Sequence, residues 1–117
     1  MERKNEVLDL SFEFALDIIR YSEELNRDKK YVIAQQVLKS GTSIGANIRE
    51  AQNSESRQDF VHKLKIAAKE TSETEYWLLL CQKSDNYPDP DKLLQQLKSI
   101  EKLLNKIIDT TKNNFPG

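Results

Sequence analysis

The stretch Leu38-Lys-Ser-Gly-Thr-Ser-Ile-Gly-Ala-Asn-Ile-Arg-Glu-Ala-Gln52 decides the fold. Gly41 and Gly45, with Thr42, Ser43 and Asn47 around them, could form a loop that cradles a phosphate. They could equally lie on a helix where missing side chains let a neighbour approach. Periodicity separates the two. Positions 34, 37, 41, 44, 48 and 51 read Ala, Val, Gly, Ile, Ile, Ala, and the row 31, 34, 38, 41, 45, 48 reads Tyr, Ala, Leu, Gly, Gly, Ile. Both glycines keep the phase of the apolar stripe, whereas a loop would have reset it. A P-loop also needs Lys-Ser/Thr after its last glycine and a strand before its first, and neither is present. An interior glycine costs a helix about 1 kcal/mol against alanine, a loss that close helix approach can offset. Gly41, Ser43, Gly45, Ala46 and Asn47 therefore read as a helix-packing motif.

Working outward, the same period recurs. Val7, Ser11, Phe14, Ile18, Tyr21 and Leu25 form one row of a first helix, and Leu8, Phe12, Ala15 and Ile19 form a second row beside it. Two rows predict a broad buried face. Asn26-Arg27-Asp28 breaks the pattern, and Asp28 is placed to cap the next helix. Ser56-x-x-Asp59 resembles a capping box, and Phe60, Leu64, Ala67, Thr71, Thr74, Leu78 and Cys81 follow at helical steps. Pro88-Asp89-Pro90-Asp91 opens a last helix, with Asp89 as cap and Pro90 as first helical residue. Its stripe is Leu93, Leu97, Ile100, Leu104, Ile107 and Thr111, and the closing NNFPG is expected to fray. The expected architecture is all-α: one antiparallel up-down four-helix bundle, with helices roughly at 4–25, 29–52, 57–84 and 90–112.

Composition fits one such domain. The chain has 117 residues, 32% of them charged, and a mean hydropathy of −0.69. No stretch nears the ~18 apolar residues of a membrane span, and the first ten residues lack the apolar core of a signal peptide. The single cysteine, Cys81, can form no internal disulfide, which suits a reduced, cytoplasmic protein. The net charge of −1 conceals a gradient: residues 1–26 hold 3 basic and 7 acidic side chains (−4), 27–70 hold 9 and 5 (+4), and 71–117 hold 6 and 7 (−1).

Catalytic chemistry finds little support. A bundle di-metal site wants two Glu-x-x-His motifs and two further carboxylates; the chain offers one Asp59-x-x-His62 and no second histidine, so no metal and no cofactor are expected. Cys81 lies 19 residues beyond His62 on one helix, about 28 Å away, which rules out a dyad within the chain. Ser40, Ser43, Asn47 and Glu50 share a row but have no base nearby. Glu73 and Glu75 could pair as acid and base, or could bond a basic or polar neighbour such as Asn47, Arg20 or Arg49.

Two surfaces invite partners. His62, Lys65 and Lys69 line one face that continues through Ser72 to Tyr76, with Arg49, Arg57 and Lys63 close in sequence. Such a row can grip phosphates and stack a base, although a solvated helical face looks the same. The run Tyr76-Trp-Leu-Leu-Leu-Cys81 is apolar all round, more than one bundle face can bury. Tyr76, Trp77 and Leu80 therefore point to an oligomer interface.

SGTSIGANIREAQ followed by SESRQDFVHKLKIAAKETSETEYWLLL resembles the four-helix-bundle proteins encoded in intervening sequences of bacterial 23S ribosomal RNA genes. The match lies on Ser43, Ile44, Ala46, Asn47, Ile48 and Glu50, on Asp59 and Phe60, and on Glu73 and Glu75; Ala51 departs from the glycine common there. The resemblance implies a ring-shaped homopentamer without known catalytic activity. It also implies kinship with the accessory protein of diversity-generating retroelements, which binds a reverse transcriptase and nucleic acid. Those relatives are strongly basic and this chain is not. Two functions stay open: an oligomeric, non-enzymatic adaptor for RNA or a ribonucleoprotein, and a protein-interaction scaffold without a nucleic-acid role.

Overall fold

The computed structural model describes residues 5–114, and side chains through Asn113. Four helices, α1 (Glu6–Arg27), α2 (Tyr31–Ala51), α3 (Arg57–Lys83) and α4 (Asp91–Asn114), account for nearly all of it, and the described residues contain no strand. The helix over 31–51 runs unbroken through both glycines, so LKSGTSIGANIREAQ is a helix and not a loop. Lys4 and Phe115-Pro116-Gly117 fall outside the described residues.

Neighbouring helices touch in the cyclic order α1–α2–α3–α4–α1, and the diagonals do not meet. Their direction follows from the bonds between them. Asn5 Nδ2 donates to Gln52 Oε1 at 3.0 Å and Ser22 Oγ to Ala34 O at 3.1 Å, so numbers rise along α1 as they fall along α2. Gln96 Nε2 donates to Asp17 Oδ2 at 3.0 Å, and the Tyr21 hydroxyl donates to Pro88 O at 2.6 Å, which sets α4 antiparallel to α1 in the same way. Gln82 Nε2 to Asp91 Oδ1, 2.8 Å, joins the end of α3 to the start of α4. The result is an up-down bundle.

Three of the four helices begin where the sequence offers a cap. Asn5 Oδ1 accepts from Leu8 N (3.2 Å) and Ser56 Oγ from Asp59 N (3.0 Å). Asp89 Oδ1 accepts from Asp91 N (2.9 Å), while Pro90 O accepts from Leu94 N to open α4. Asp28 does not cap α2 as its sequence position suggests. It ends α1 instead, and α2 starts after Lys30 with no side-chain cap. The chain turns by a Schellman motif: Lys30 N donates to Leu25 O and Lys29 N to Asn26 O, with Lys29 at φ 63°. A side chain in that left-handed region is strained, and glycine is not. Lys29→Gly is expected to raise stability by about 1 kcal/mol, seen as a higher midpoint in urea; an unchanged or lower midpoint would contradict the strain.

The core is built from the predicted stripes. Val7, Phe14, Ile18, Tyr21 and Leu25 of α1 are buried, as are Ala34, Val37, Ile44 and Ile48 of α2, Leu64, Ala67, Leu78 and Cys81 of α3, and Leu93, Leu97, Ile100 and Leu104 of α4. The α4 row ends on Ile108, not on Ile107, which is half-buried along with Thr111. Five small hydroxyls share these faces. Ser11, Ser40, Thr71 and Thr74 donate to carbonyls of their own helix, and Ser22 to α2, so none is left unpaired. They allow close backbones where a larger residue would hold helices apart.

The glycines do the same more sharply. A Cβ on Gly41 would lie 2.8 Å from Ile18 Cγ2 and 2.9 Å from Ile18 Cγ1; one on Gly45 would lie 3.3 Å from the Ser11 carbonyl oxygen. Gly41 therefore accommodates a core side chain of α1, and Gly45 the α1 backbone. Ala46 lines the outer groove of the same seam beside Gly45. Ala46 is exposed, and Ser43 and Asn47 are half-buried, bonding the carbonyls of Lys39 and Ser43 within α2. The close approach to α1 thus rests on the two glycines of the motif.

The second apolar row of α1 is not part of the core. Leu8 and Ala15 are half-buried, while Phe12 and Ile19 are exposed, because only α2 and α4 flank α1 and the outer side of the α1–α2 seam has no helix over it.

Candidate nucleic-acid interface and apolar surfaces

The structure divides the sequence-predicted basic residues among three places. His62, Lys65 and Lys69 project from the exposed face of α3, as their spacing requires. Lys63 turns instead toward α2, where its Nζ lies 3.3 Å from Glu50 Oε1. Arg49 sits on another side of the bundle, at the outer α1–α2 groove beside Asp9, Phe12 and Gly45. A single basic surface of six residues therefore does not exist.

Arg57, His62 and Lys65 do converge, on a groove of about 710 Å³ between the start of α3 and the end of α4. Its other walls include Asp59, Val61, Thr111 and Lys112. Lys112 is the residue that sequence reasoning missed. It lies more than 45 positions from Lys65, and only the antiparallel pairing of α3 with α4 joins them. The floor at Ser56 is the capped N-terminus of a 27-residue helix, whose dipole adds partial positive charge. The groove can attract phosphate oxygens; Asp59 tempers its field.

The catalytic candidates Glu73, Glu75 and Cys81 do not come together in one site among the described residues. Glu73 and Glu75 are exposed and make none of the expected bonds to Asn47, Arg20 or Arg49; Arg20 pairs with Asp17 at 2.6 Å. Glu70, half-buried beside Glu73, is held above the usual carboxylate range first by desolvation and then by Glu73, with Lys69 and Lys39 opposing. Its folded form binds the proton more tightly than the unfolded form. Its contribution to stability therefore falls as pH rises from the ordinary carboxylate range through the raised one. Cys81 is buried against Tyr21, and burial pushes its thiol up, which keeps it protonated and a poor nucleophile. Burial likewise raises the Tyr21 hydroxyl, with the Cys81 contact adding to it, while Pro88 O accepts its proton. No cluster of three or more His, Cys, Asp or Glu suited to a metal occurs among the described residues.

The apolar end of α3 splits by side. Leu78 and Cys81 enter the core, whereas Tyr76 is 58% exposed and Leu79 and Leu80 are each 40% exposed. Trp77 belongs to neither group. Its ring is half-buried against the core, edge-to-face with Tyr76 at 5.3 Å, and its Nε1 is covered without an acceptor. Of the three interface candidates, Tyr76 and Leu80 are exposed and Trp77 is half-buried, and Leu79 is as exposed as Leu80. A second apolar surface lies at the outer α1–α2 groove, lined by Leu8, Phe12 and Ala15; Leu16 and Ile19 of α1 and Leu38 of α2 are exposed as well. No helix among the described residues is long and apolar enough to cross a membrane.

The sequence profile of the 23S rRNA-intervening sequence proteins matches residues 3–106. A crystal structure of a protein with unknown function from the S23 ribosomal protein family of Bacteroides thetaiotaomicron VPI-5482 is 46% identical. The match covers 87% of this chain and 97% of that one, with a TM-score of 0.82. No functionally curated protein matches the sequence.

Proposed function

The chain belongs to the 23S rRNA-intervening sequence protein family, and from that premise we propose that it is a cytoplasmic, non-enzymatic adaptor that self-associates and binds RNA. The observation that carries RNA binding is the groove where Arg57, His62, Lys65 and Lys112 converge from two helices at the capped start of α3. Phosphate contacts need cations held by rigid elements, and two helices of 27 and 24 residues supply them. Lys69 extends the row by one helical turn. The contact is read as one to the phosphate backbone, which the converging cations attract; Gln58, also in the groove wall, is of a type suited to a base edge.

The test is fluorescence anisotropy with a labelled RNA strand of mixed sequence, across a salt series. The double charge reversal Lys65→Glu with Lys112→Glu is expected to weaken binding at least tenfold at low salt and to flatten the log–log salt slope by about 2. Both residues are exposed, so the helical content should not change. Equal affinity and slope in the variant would refute the groove as the phosphate site.

A second reading, a protein-interaction scaffold with no nucleic-acid role, is favoured by the near-neutral charge and by the exposed Tyr76, Leu79 and Leu80. Both readings require self-association. Exposed apolar side chains on two faces are its support, and the ring-shaped homopentamer implied by the resemblance is one form it would take.

A further inference from the structure

The cationic face of α3 does not stop at the groove. Gln58, His62, Lys65, Lys69, Ser72 and Tyr76 follow one another at steps of 4, 3, 4, 3 and 4, and Leu80 and Lys83 continue the row. Such steps set side chains one above another on a single side of a helix, and every residue of the row is exposed. From Gln58 to Lys83 it spans about 38 Å at 1.5 Å per residue. No carboxylate interrupts it. Asp59 and Glu70 are half-buried off the row, and the exposed Glu73 and Glu75 stand on opposite flanks of Tyr76.

Tyr76 is the member of the row that a phosphate site does not need. It is 58% exposed, yet its ring is braced: Trp77 meets it edge-to-face at 5.3 Å and is itself packed against the core. Lys69 and Lys83 lie seven residues before and after it on the same face, each about 10 Å away along the axis. Cations on both sides of an aromatic platform suit single-stranded nucleic acid, whose backbone runs on the cations while a base turns onto the ring. A duplex cannot use the ring, because its bases are paired and stacked on one another. The flanking carboxylates favour the same division. They repel phosphates from the surroundings of the ring and leave it to a base, which carries no charge.

We infer, on the basis of the RNA-binding reading above, that this face of α3 is a track for one unpaired RNA strand, with its backbone on Lys65, Lys69 and Lys83 and a base stacked on Tyr76. The ligand is thereby specified as single-stranded, and Tyr76 becomes a contact about 16 Å along the helix from Lys65.

Fluorescence anisotropy at low salt tests the track, with a labelled RNA strand of mixed sequence and the same strand annealed to its complement. Tyr76→Ala is expected to weaken the single strand by about fivefold or more and to leave the duplex unchanged. The salt slopes should stay as they are, because no charge is altered. Tyr76→Phe, which keeps the ring, is expected to bind both forms as the unaltered protein does. Trp77, the one tryptophan of the chain, reports from beside the ring. The single strand is expected to change its emission, and the duplex to leave it unchanged. Lys65→Glu with Lys112→Glu should weaken both forms, so the two readings fail separately. If Tyr76→Ala binds both forms unchanged, or loses both equally with its helices intact by circular dichroism, the track is overturned and the groove reading is untouched. An unaltered protein that binds neither form would overturn the track together with the reading beneath it.

Discussion

Gly41→Leu is expected to abolish the native bundle, and Gly41→Ala to destabilise it by up to about 2 kcal/mol. The first carbon of any side chain at this position would fall 2.8 Å from Ile18 Cγ2 and 2.9 Å from Cγ1. Ile18 is fully buried and β-branched, so it has no flexible end to swing aside. Alanine gains roughly 1 kcal/mol of helix propensity, which recovers part of the overpacking cost of roughly 1–3 kcal/mol. Leucine gains no more propensity and must force α1 and α2 apart. Gly45→Ala is the control. There the nearest atom is a backbone oxygen at 3.3 Å, a gap that a small shift of α1 can widen, so propensity and crowding nearly cancel. Urea unfolding of the three variants reads the order directly. Equal midpoints for the two alanine variants would contradict the geometry.

Phe14→Ala is expected to cost about 3–5 kcal/mol, while Phe12→Ala, two residues away, leaves the chain's own core intact. Phe14 is 0% exposed and Phe12 is 57% exposed. For a domain whose total stability is roughly 5–15 kcal/mol, the first loss brings the unfolded state into measurable population. The second should leave the midpoint nearly unchanged, since the Phe12 ring lies largely in solvent. Thermal unfolding of the two variants separates the effects. A large loss for Phe12→Ala would place that ring in the core.

These two phenylalanines also mark what the sequence could reveal. The period of 3.6 identifies the rows on α1, and the row through Phe14 was legible because Val7, Ile18 and Leu25 repeat it without interruption. The row through Phe12 is almost as apolar. Whether it is covered depends on which helices flank α1, and that is not written within α1. The opening stretch was legible for the same reason as Phe14: the glycines keep phase with Val37 and Ile48.

The basic surface was legible only along one helix. His62, Lys65 and Lys69 share a face by spacing, but closeness in sequence misplaced Arg49 and Lys63. Arg49 ends α2 on the α1 side, and Lys63 turns into the α2–α3 seam toward Glu50. Lys112 joins the groove through tertiary pairing, for which residue spacing carries no signal. The end of α3 shows the same limit. Its all-round apolar run announces a second surface, yet only the packed bundle sends Trp77 inward and leaves Leu79 outside.

The adaptor account is tested most directly by isolating tagged protein from its native cells. Nuclease-sensitive nucleic acid per protomer would be measured in low and high salt, with co-purifying proteins identified in the same sample. The account predicts RNA in fixed ratio to the assembled protein, retained in low salt, lost in high salt and absent from the Lys65→Glu, Lys112→Glu variant. A preparation that holds one protein partner in fixed ratio and no RNA at either salt would contradict it.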